Sequence, residues 1–221
     1  LDPDDVPAGH PLEHTAGERA PQYHVRDTAW GTNYGAFRTV KPGTIYWRFA
    51  NYMFPFWTQT PQGEFPVNIQ ARAWVPMDDG HTMMIFWRRK GKGAPGSTMA
   101  PLKNGLPLAG AKPLPDFHPP GTGWLDRYRV VADESNDWLI DREAQRTNRI
   151  YSGIDNIGLQ DQAVTESMGA ITDHSKEHLG PGDLMIARTR RRALHAARAF
   201  AAGEPAPGVD NPQIMTEARS G

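Results

Sequence analysis

Residues 67–87 carry the pattern that decides the fold: VNIQARAWV, then the turn PMDDGH, then the run TMMIFW. Every second residue from Val67 to Val75 is apolar, and Met83, Ile85 and Trp87 share one face after the turn. Alternation with a period of two is typical of a half-buried antiparallel strand. Because Asp-Gly between two such runs favours a reversal of the chain, the segment predicts a hairpin.

The flanking sequence extends this pattern into an α+β fold. Residues 44–50 alternate again, with Ile45, Trp47 and Phe49 on one face. The last third of the chain has helical periodicity, which predicts one helix over about 157–168 and a second that ends near Ala202. We therefore predict an antiparallel sheet followed by helices that pack on one of its faces.

Local signals mark the ends of the two helices. Asp155 or Asn156 can cap the first helix, and Gly169 ends it. Pro181 suits the start of the second helix, which ends before Gly203. The second helix carries five basic residues, Arg188, Arg190, Arg191, Arg192 and Arg198. We expect these arginines to form a solvated face, with some contacts at the end of the helix.

Composition along the chain predicts the domain organisation. Residues 1–21 are rich in proline, glycine and charge and form an N-terminal arm or loop. The main domain covers 22–203, and 204–221 form a C-terminal tail. Within the domain, residues 91–123 hold seven prolines and seven glycines, which predicts a long loop.

Charge and cysteine content exclude several classes of function. The chain has 24 Lys and Arg against 25 Asp and Glu, which gives no electrostatic footprint for nucleic acid. No apolar run is long enough to cross a bilayer, so we expect no membrane partner and a cytoplasmic location. The chain has no cysteine, which excludes a cysteine nucleophile and a cysteine-held iron–sulfur cluster within it. Its first residue is Leu1, and we expect a fragment of a longer protein.

Asp161 is the most informative polar position. It lies inside an apolar stripe of the first helix, formed by Ile157, Val164 and Met168. We expect the helix to bury this stripe against the sheet, and the carboxylate then needs a compensating partner because burying a charge is costly. An arginine, a set of hydrogen-bond donors or a metal ion would each serve.

An ordered series of short matches resembles one enzyme family. The series consists of these residues: Ala20–Tyr23, Asp27–Thr28, Gly31, Asn136–Glu143, Tyr151–Ile154, Gln160–Asp161, Glu166–Gly169, Asp173, Glu177, Leu179–Gly180 and Asp183. It is similar to the C-terminal catalytic domain of the large subunit of Rieske-type non-haem iron aromatic-ring oxygenases. The similarity is strongest to the phthalate dioxygenase branch, which includes aromatic O-demethylases.

The resemblance implies a specific chemistry. Such enzymes have a helix-grip, START-like catalytic domain and hold one Fe(II) with two histidines and one aspartate, leaving positions open for O₂. Asp161 matches the aspartate. Electrons would come from NAD(P)H through a reductase or ferredoxin and a Rieske [2Fe–2S] cluster. The enzyme would hydroxylate or O-demethylate an aromatic acid and assemble as a trimer or a multiple of trimers.

The two histidine ligands have no clear match in the chain. His10 and His14 have a plausible spacing, but Pro11 lies between them. The family pattern also has an aspartate three residues before its first histidine, whereas Asp5 lies five residues before His10. A plain exposed loop is the alternative for these residues. We therefore expect the true ligands upstream of Leu1, and we expect the chain by itself to be inactive.

The aromatic residues of the strands suggest a substrate pocket. Phe54, Trp57 and Trp87 are its candidate lining residues. The alternative is that these side chains simply fill the core, as aromatic strands commonly do.

Two other functions fit parts of the sequence. His174, Glu177 and His178 match the pattern H-x-x-E-H, in which two histidines bind zinc and the glutamate activates water. That reading predicts a zinc metallohydrolase. The other alternative is a non-catalytic ligand-binding domain of the same fold, in which Asp161 forms only a salt bridge.

Overall fold

The computed structural model describes residues 2–10, 12–61, 65, 70–88, 101–103, 105 and 114–221. These residues form two compact units. The first unit comprises the described residues within 1–10 and 98–174, and the second those within 11–97 and 175–221. Most of the predicted loop 91–123 lies outside the described residues. The domain boundaries predicted from composition remain predictions.

The described residues of the second unit form a six-stranded antiparallel sheet whose spatial order follows the chain. Its strands are β1 (Gln22–Thr28), β2 (Gly31–Lys41), β3 (Thr44–Met53), β4 (Trp57–Gln59), β5 (Gln70–Pro76) and β6 (Thr82–Arg88). Trp74 pairs with Met84, and Pro76 with Thr82, which confirms the hairpin around Asp-Gly. Residues 67–69 of that pattern lie outside the described part.

One face of the sheet carries a row of aromatic rings. Trp47 stacks on Phe49 with ring centroids 5.7 Å apart, and Phe37 lies 4.7 Å from Trp47. Gly35 on β2 makes room for this row, because a Cβ there would come 2.9 Å from the Trp47 ring and 3.0 Å from the Phe49 ring. Ile45, Trp47 and Phe49 therefore share one face of β3 as predicted, but burial of that face is incomplete, since Ile45 is 51% and Trp47 37% exposed.

The core of the second unit includes the C-terminal residues. Trp30, Met53 and Ala218 form its buried cluster, and Ile214 and Met215 pack against them. The last residue continues this arrangement, because Gly221 and Phe49 exchange backbone hydrogen bonds of 2.7 and 3.1 Å. The segment that composition describes as a tail thus contributes to the core of this unit.

Helices precede and follow the sheet strands along the chain. The α-helices of the described ranges are α1 (Glu13–Gly17), α2 (Arg142–Arg146), α3 (Ile157–Glu166) and α4 (Leu184–Ala201). Short 3-10 helices cover Pro3–Asp5, Glu134–Leu139, His174–Lys176, Pro181–Asp183 and Pro212–Glu217. Helix α4 packs against β2 in the second unit. The antiparallel sheet and these helices confirm the predicted α+β class.

The helix ends follow the local signals. The Asn156 side chain accepts a hydrogen bond of 2.9 Å from the Leu159 amide and so caps α3. Gly169 and Gly203, which follow α3 and α4, adopt φ values of +90° and +92°, a region that favours glycine. Within the ranges described above, no helix combines the length and apolar character that a membrane crossing requires.

Candidate functional site

Helix α3 places Asp161 at the surface of the first unit. The predicted burial of its stripe is wrong, since Ile157 is 41% exposed, Val164 65% exposed, and Asp161 itself is exposed. The reason is that α3 turns an adjacent face inward. Ala163 is buried on that face, and Gln160 donates from Nε2 to the Ile154 carbonyl at 2.8 Å. Asp161 thus needs no buried partner to offset desolvation.

The C-terminal end of α3 is held by a second set of polar contacts. The indole Nε1 of Trp138 donates to Oε2 of Glu166 at 2.7 Å, and Nε2 of Gln162 donates to its Oε1 at 2.7 Å. Trp138 and Leu159 also line a cavity of about 260 Å³ beside the helix. Both ends of α3 are therefore tied to the first unit by side-chain hydrogen bonds.

The candidate iron ligands are divided between the two units of the chain. His10 lies in the first unit and is buried, whereas His14 lies in the second unit with its ring 4.8 Å from that of Tyr46. Among the described residues, which include every histidine of the chain, no three of His, Asp and Glu form a group able to hold a metal ion. These residues by themselves do not fit a complete 2-His-1-carboxylate site.

The candidate pocket residues occupy different surroundings within the second unit. Trp57 and Trp87 come together edge to face with ring centroids 6.5 Å apart, and Trp87 is 62% exposed. Phe54 is buried, and the Arg192 guanidinium lies 5.3 Å from the centroid of its ring. Phe54 and Arg192 also line a cavity of about 230 Å³ together with His195 and Glu204.

The arginines of α4 do not all form the solvated face that their pattern predicts. Arg188 contacts Oδ1 of Asp27 through Nε at 2.8 Å and donates to the Val25 carbonyl at 3.1 Å. Arg192 donates to the Thr28 carbonyl at 2.8 Å. The expectation of a solvated face is wrong for these two residues. Their acceptors near the end of β1 lie more than 160 positions away in the sequence, so the pattern within the helix does not reveal the contacts.

The H-x-x-E-H segment does not form the helix that a zinc site needs. The local 3-10 helix, His174–Lys176, ends before Glu177. The Glu177 carboxylate instead pairs with Arg190, and this hydrogen bond raises the pKa of Arg190. A helix one turn longer would be required to set both histidines on one face. The geometry therefore gives no support to the zinc metallohydrolase alternative.

Trp138 and Glu166 are the residues whose role the sequence did not reveal. Both belong to the stretches that carry the family resemblance, Asn136–Glu143 and Glu166–Gly169, but no spacing rule connects them. Their contact depends on an unusual backbone turn at Asp137–Leu139, where φ is positive at three consecutive residues. No glycine marks that turn in the sequence.

Comparisons with known proteins define the class. In an alignment of 224 positions, the chain is 50% identical to the 3-chlorobenzoate-3,4-dioxygenase oxygenase subunit of Comamonas testosteroni. The alignment covers the whole chain and 51% of that protein. It is 31% identical over 202 residues to the phthalate 4,5-dioxygenase oxygenase subunit of Pseudomonas putida, covering 89% of the chain and 42% of that protein. These matches confirm the predicted resemblance of the chain to the oxygenase subunits of aromatic-ring dioxygenases.

The family itself is shown by a match over most of the chain. The model for the LigXa C-terminal domain-like family matches residues 11–220. The chain belongs to this family. It spans about half the length of the relatives that it matches.

Proposed function

We propose that this chain forms the catalytic domain of an oxygenase subunit that hydroxylates an aromatic carboxylate with O₂. The observation that carries the proposal is the 50% identity over the whole chain to a subunit named for 3-chlorobenzoate. The second relative is named for phthalate, another aromatic acid. O-demethylation of a related aromatic acid is the alternative outcome of the same oxygen chemistry.

Asp161 is the proposed carboxylate ligand of a mononuclear Fe(II). Its exposed position on a helix fixed at both ends supports this role, since a ligand must be both accessible and held in place. The bound iron would supply open positions for O₂ beside the substrate. We propose that the histidine ligands belong to the half of such a subunit that this chain does not represent.

The electron supply follows from the same reasoning. A Rieske [2Fe–2S] cluster needs two cysteines and two histidines, and this chain has no cysteine. We therefore propose that the cluster is held elsewhere in the whole subunit and receives electrons from NAD(P)H through a reductase or ferredoxin. The whole protein is proposed to be a homotrimer or a multiple of trimers.

The test is Asp161→Ala in the complete oxygenase subunit. We expect the variant to lose the mononuclear iron, measured by metal analysis, while the spectrum of the [2Fe–2S] cluster stays unchanged. The matched control is Asp210→Ala, which removes an exposed carboxylate in the C-terminal segment of the second unit and should keep the full iron content. Full mononuclear iron and turnover in Asp161→Ala would show that the assignment is wrong.

A further inference from the structure

Arg38 on β2 is a buried cation that has no acidic partner among the described residues. The residue is 7% exposed, and its Nε donates to the backbone carbonyl of Glu18 at 2.7 Å. Its Nη1 is also buried, and no group in the described ranges accepts a hydrogen bond from it. Because a buried guanidinium loses its hydration, such a charge usually pairs with a carboxylate or another anion. A neutral carbonyl therefore leaves the charge of Arg38 poorly compensated.

The surrounding sheet does not supply the missing negative charge. Asp27 is the one acidic residue in the six strands described above, and it is already paired with two arginines of α4. The strands contain six basic residues: Arg26, Arg38, Lys41, Arg48, Arg72 and Arg88. Burial raises the pKa of the Tyr34 phenol, whereas the positive charges of Arg48 and Arg38 act in the opposite direction. The face of the sheet that carries Tyr34 and Arg38 thus has an excess of positive charge.

A second buried polar atom without a partner lies on the segment that contacts Arg38. At the start of α1 the ring of His14 lies 4.8 Å from the ring of Tyr46, which pairs with Arg38 across β2 and β3. After the end of α1 the Glu18 carbonyl contacts Arg38 itself. Between these two anchor points, Oγ1 of Thr15 is buried and bonds to none of the described residues. An unused cationic donor and an unused hydroxyl therefore occur where α1 meets the sheet.

We propose that Arg38 and Thr15 bind the carboxylate group of an aromatic acid beneath helix α1. This inference rests on the proposed function, which supplies the class of ligand, and it is independent of the iron site. The carboxylate accepts from Nη1 of Arg38 and from Oγ1 of Thr15, while Nε keeps its contact with the Glu18 carbonyl. A hydrogen bond between two charged groups is stronger than one between neutral groups, and the anion also neutralises the buried guanidinium.

The ligand reaches this site only when helix α1 moves away from the sheet. Nη1 of Arg38 and Oγ1 of Thr15 are both shielded from solvent in the arrangement described above. Helix α1 has five residues, of which only Ala16 is buried, so few contacts oppose its movement. Once the carboxylate is bound, it holds α1 against the sheet. We therefore expect saturating benzoate to slow amide hydrogen exchange in residues 13–18 of the complete subunit, and unchanged exchange would contradict binding beneath α1.

The first binding experiment compares benzoate with benzamide by isothermal titration calorimetry of the complete subunit. Benzamide has a similar shape and lacks the negative charge. We expect the original subunit to prefer benzoate, and we expect Arg38→Gln to lose this preference and to bind benzoate about 10- to 100-fold more weakly. Arg26→Gln is the matched control, because Arg26 is an exposed arginine on the opposite face of the same sheet, and it should keep both affinities.

The second binding experiment separates the loss of a ligand contact from the loss of stability. Thr15→Val keeps the shape of the side chain and removes a hydroxyl that has no partner among the described residues. We expect the free energy of unfolding to stay the same or to rise, whereas the affinity for benzoate should fall about tenfold. Thr189→Val is the matched control, because its hydroxyl is also buried without a described partner but lies on α4, and it should keep the affinity. This test holds even if Arg38→Gln fails to fold.

The outcomes distinguish a failure of the inference from a failure of the proposed function. Unchanged affinity for benzoate in either Arg38→Gln or Thr15→Val would remove that residue, and with it the proposed pair of donors. Equal losses of affinity for benzoate and benzamide in Arg38→Gln would show that Arg38 supports the fold and does not recognise the charge. Absence of benzoate binding to the original subunit would instead contradict the proposed function and the inference together.

Discussion

Helices α3 and α4 both expose apolar side chains, yet they are attached to the protein in different ways. Val164 on α3 and Phe200 on α4 are 65% and 64% exposed. Helix α3 is tied by neutral or acidic side chains to residues that lie within about 30 positions of it. Helix α4 is tied by arginines to the end of β1, 163 and 164 positions away.

This difference determines what the sequence can reveal about each helix. When the residues that hold a helix lie close to it in the sequence, a local pattern can predict the contact, and the cap at Asn156 is one example. Attachment over a long separation leaves no such pattern, because an arginine that contacts a distant carbonyl looks the same as a solvated one. The inward face of α4 therefore contains Arg188 and Arg192, whereas a hydrophobic stripe is the usual expectation for such a face.

The largest expected effect comes from breaking the support of α3 at Gly153. This residue has φ +76°, and a Cβ there would lie 2.7 Å from the Asp141 carbonyl oxygen and 2.8 Å from Cγ2 of Ile140. Gly153→Ala therefore adds both an unfavourable backbone conformation and a clash with rigid atoms. We expect it to lower the free energy of unfolding by about 3 kcal/mol, measured by urea denaturation.

Gly169→Ala is the matched control for that variant. Gly169 follows α3 and has φ +90°, but a Cβ there would meet no atom within 4 Å. Only the unfavourable backbone conformation remains, and we expect Gly169→Ala to lower the free energy of unfolding by about 1 kcal/mol. Equal effects of the two alanines would show that close packing around Gly153 does not support α3.

The second prediction weakens the distant support of α4. Asp27→Asn removes the charge that faces Arg188 at 2.8 Å and Arg192 at 3.7 Å. Because the Asp27 side chain is 46% exposed, we expect a smaller loss than for a buried pair, about 1–2 kcal/mol in the free energy of unfolding. The loss should shrink in high salt, since exposed charges are screened.

Asp79→Asn provides the comparison for this variant. Asp79 lies in the exposed turn of the β5–β6 hairpin, and its replacement should change stability by less than about 0.5 kcal/mol. An Asp27→Asn variant as stable as Asp79→Asn would mean that α4 does not depend on its arginines for attachment.

The same distinction explains which features of this protein could be predicted. The hairpin around Asp-Gly and the cap of α3 depend on neighbouring residues, and both were predicted correctly. The exposure of Ile157 was not predicted correctly. It depends on which face of α3 packs inward, and the hydrogen bonds of Gln160 and Glu166 determine that face. The apolar stripe drew attention to Asp161, but only the family resemblance assigned it to iron, and its role as a ligand remains a prediction.

The smallest expected effect concerns the local support of the Asp137–Leu139 turn. The hydrogen bond from the Ser135 hydroxyl lowers the pKa of Asp133 below its ordinary value. A carboxyl whose pKa is lower in the folded state stabilises the fold above its unfolded pKa, and this contribution is lost as the pH falls through the folded value. Acidification below about pH 4 should therefore loosen this turn.

Ser135→Ala tests this pH dependence. We expect the pKa of Asp133, followed by NMR of its carboxyl carbon, to rise towards the ordinary value in the variant. The difference in melting temperature between the original protein and Ser135→Ala should then narrow as the pH falls from 6 to about 3. Ser167→Ala removes a hydroxyl at the end of α3 that bonds the Val164 carbonyl and should leave the Asp133 titration unchanged. An unshifted Asp133 pKa in Ser135→Ala would mean that this hydroxyl does not stabilise the ionised carboxylate, and that the turn depends on its backbone bonds and on Trp138.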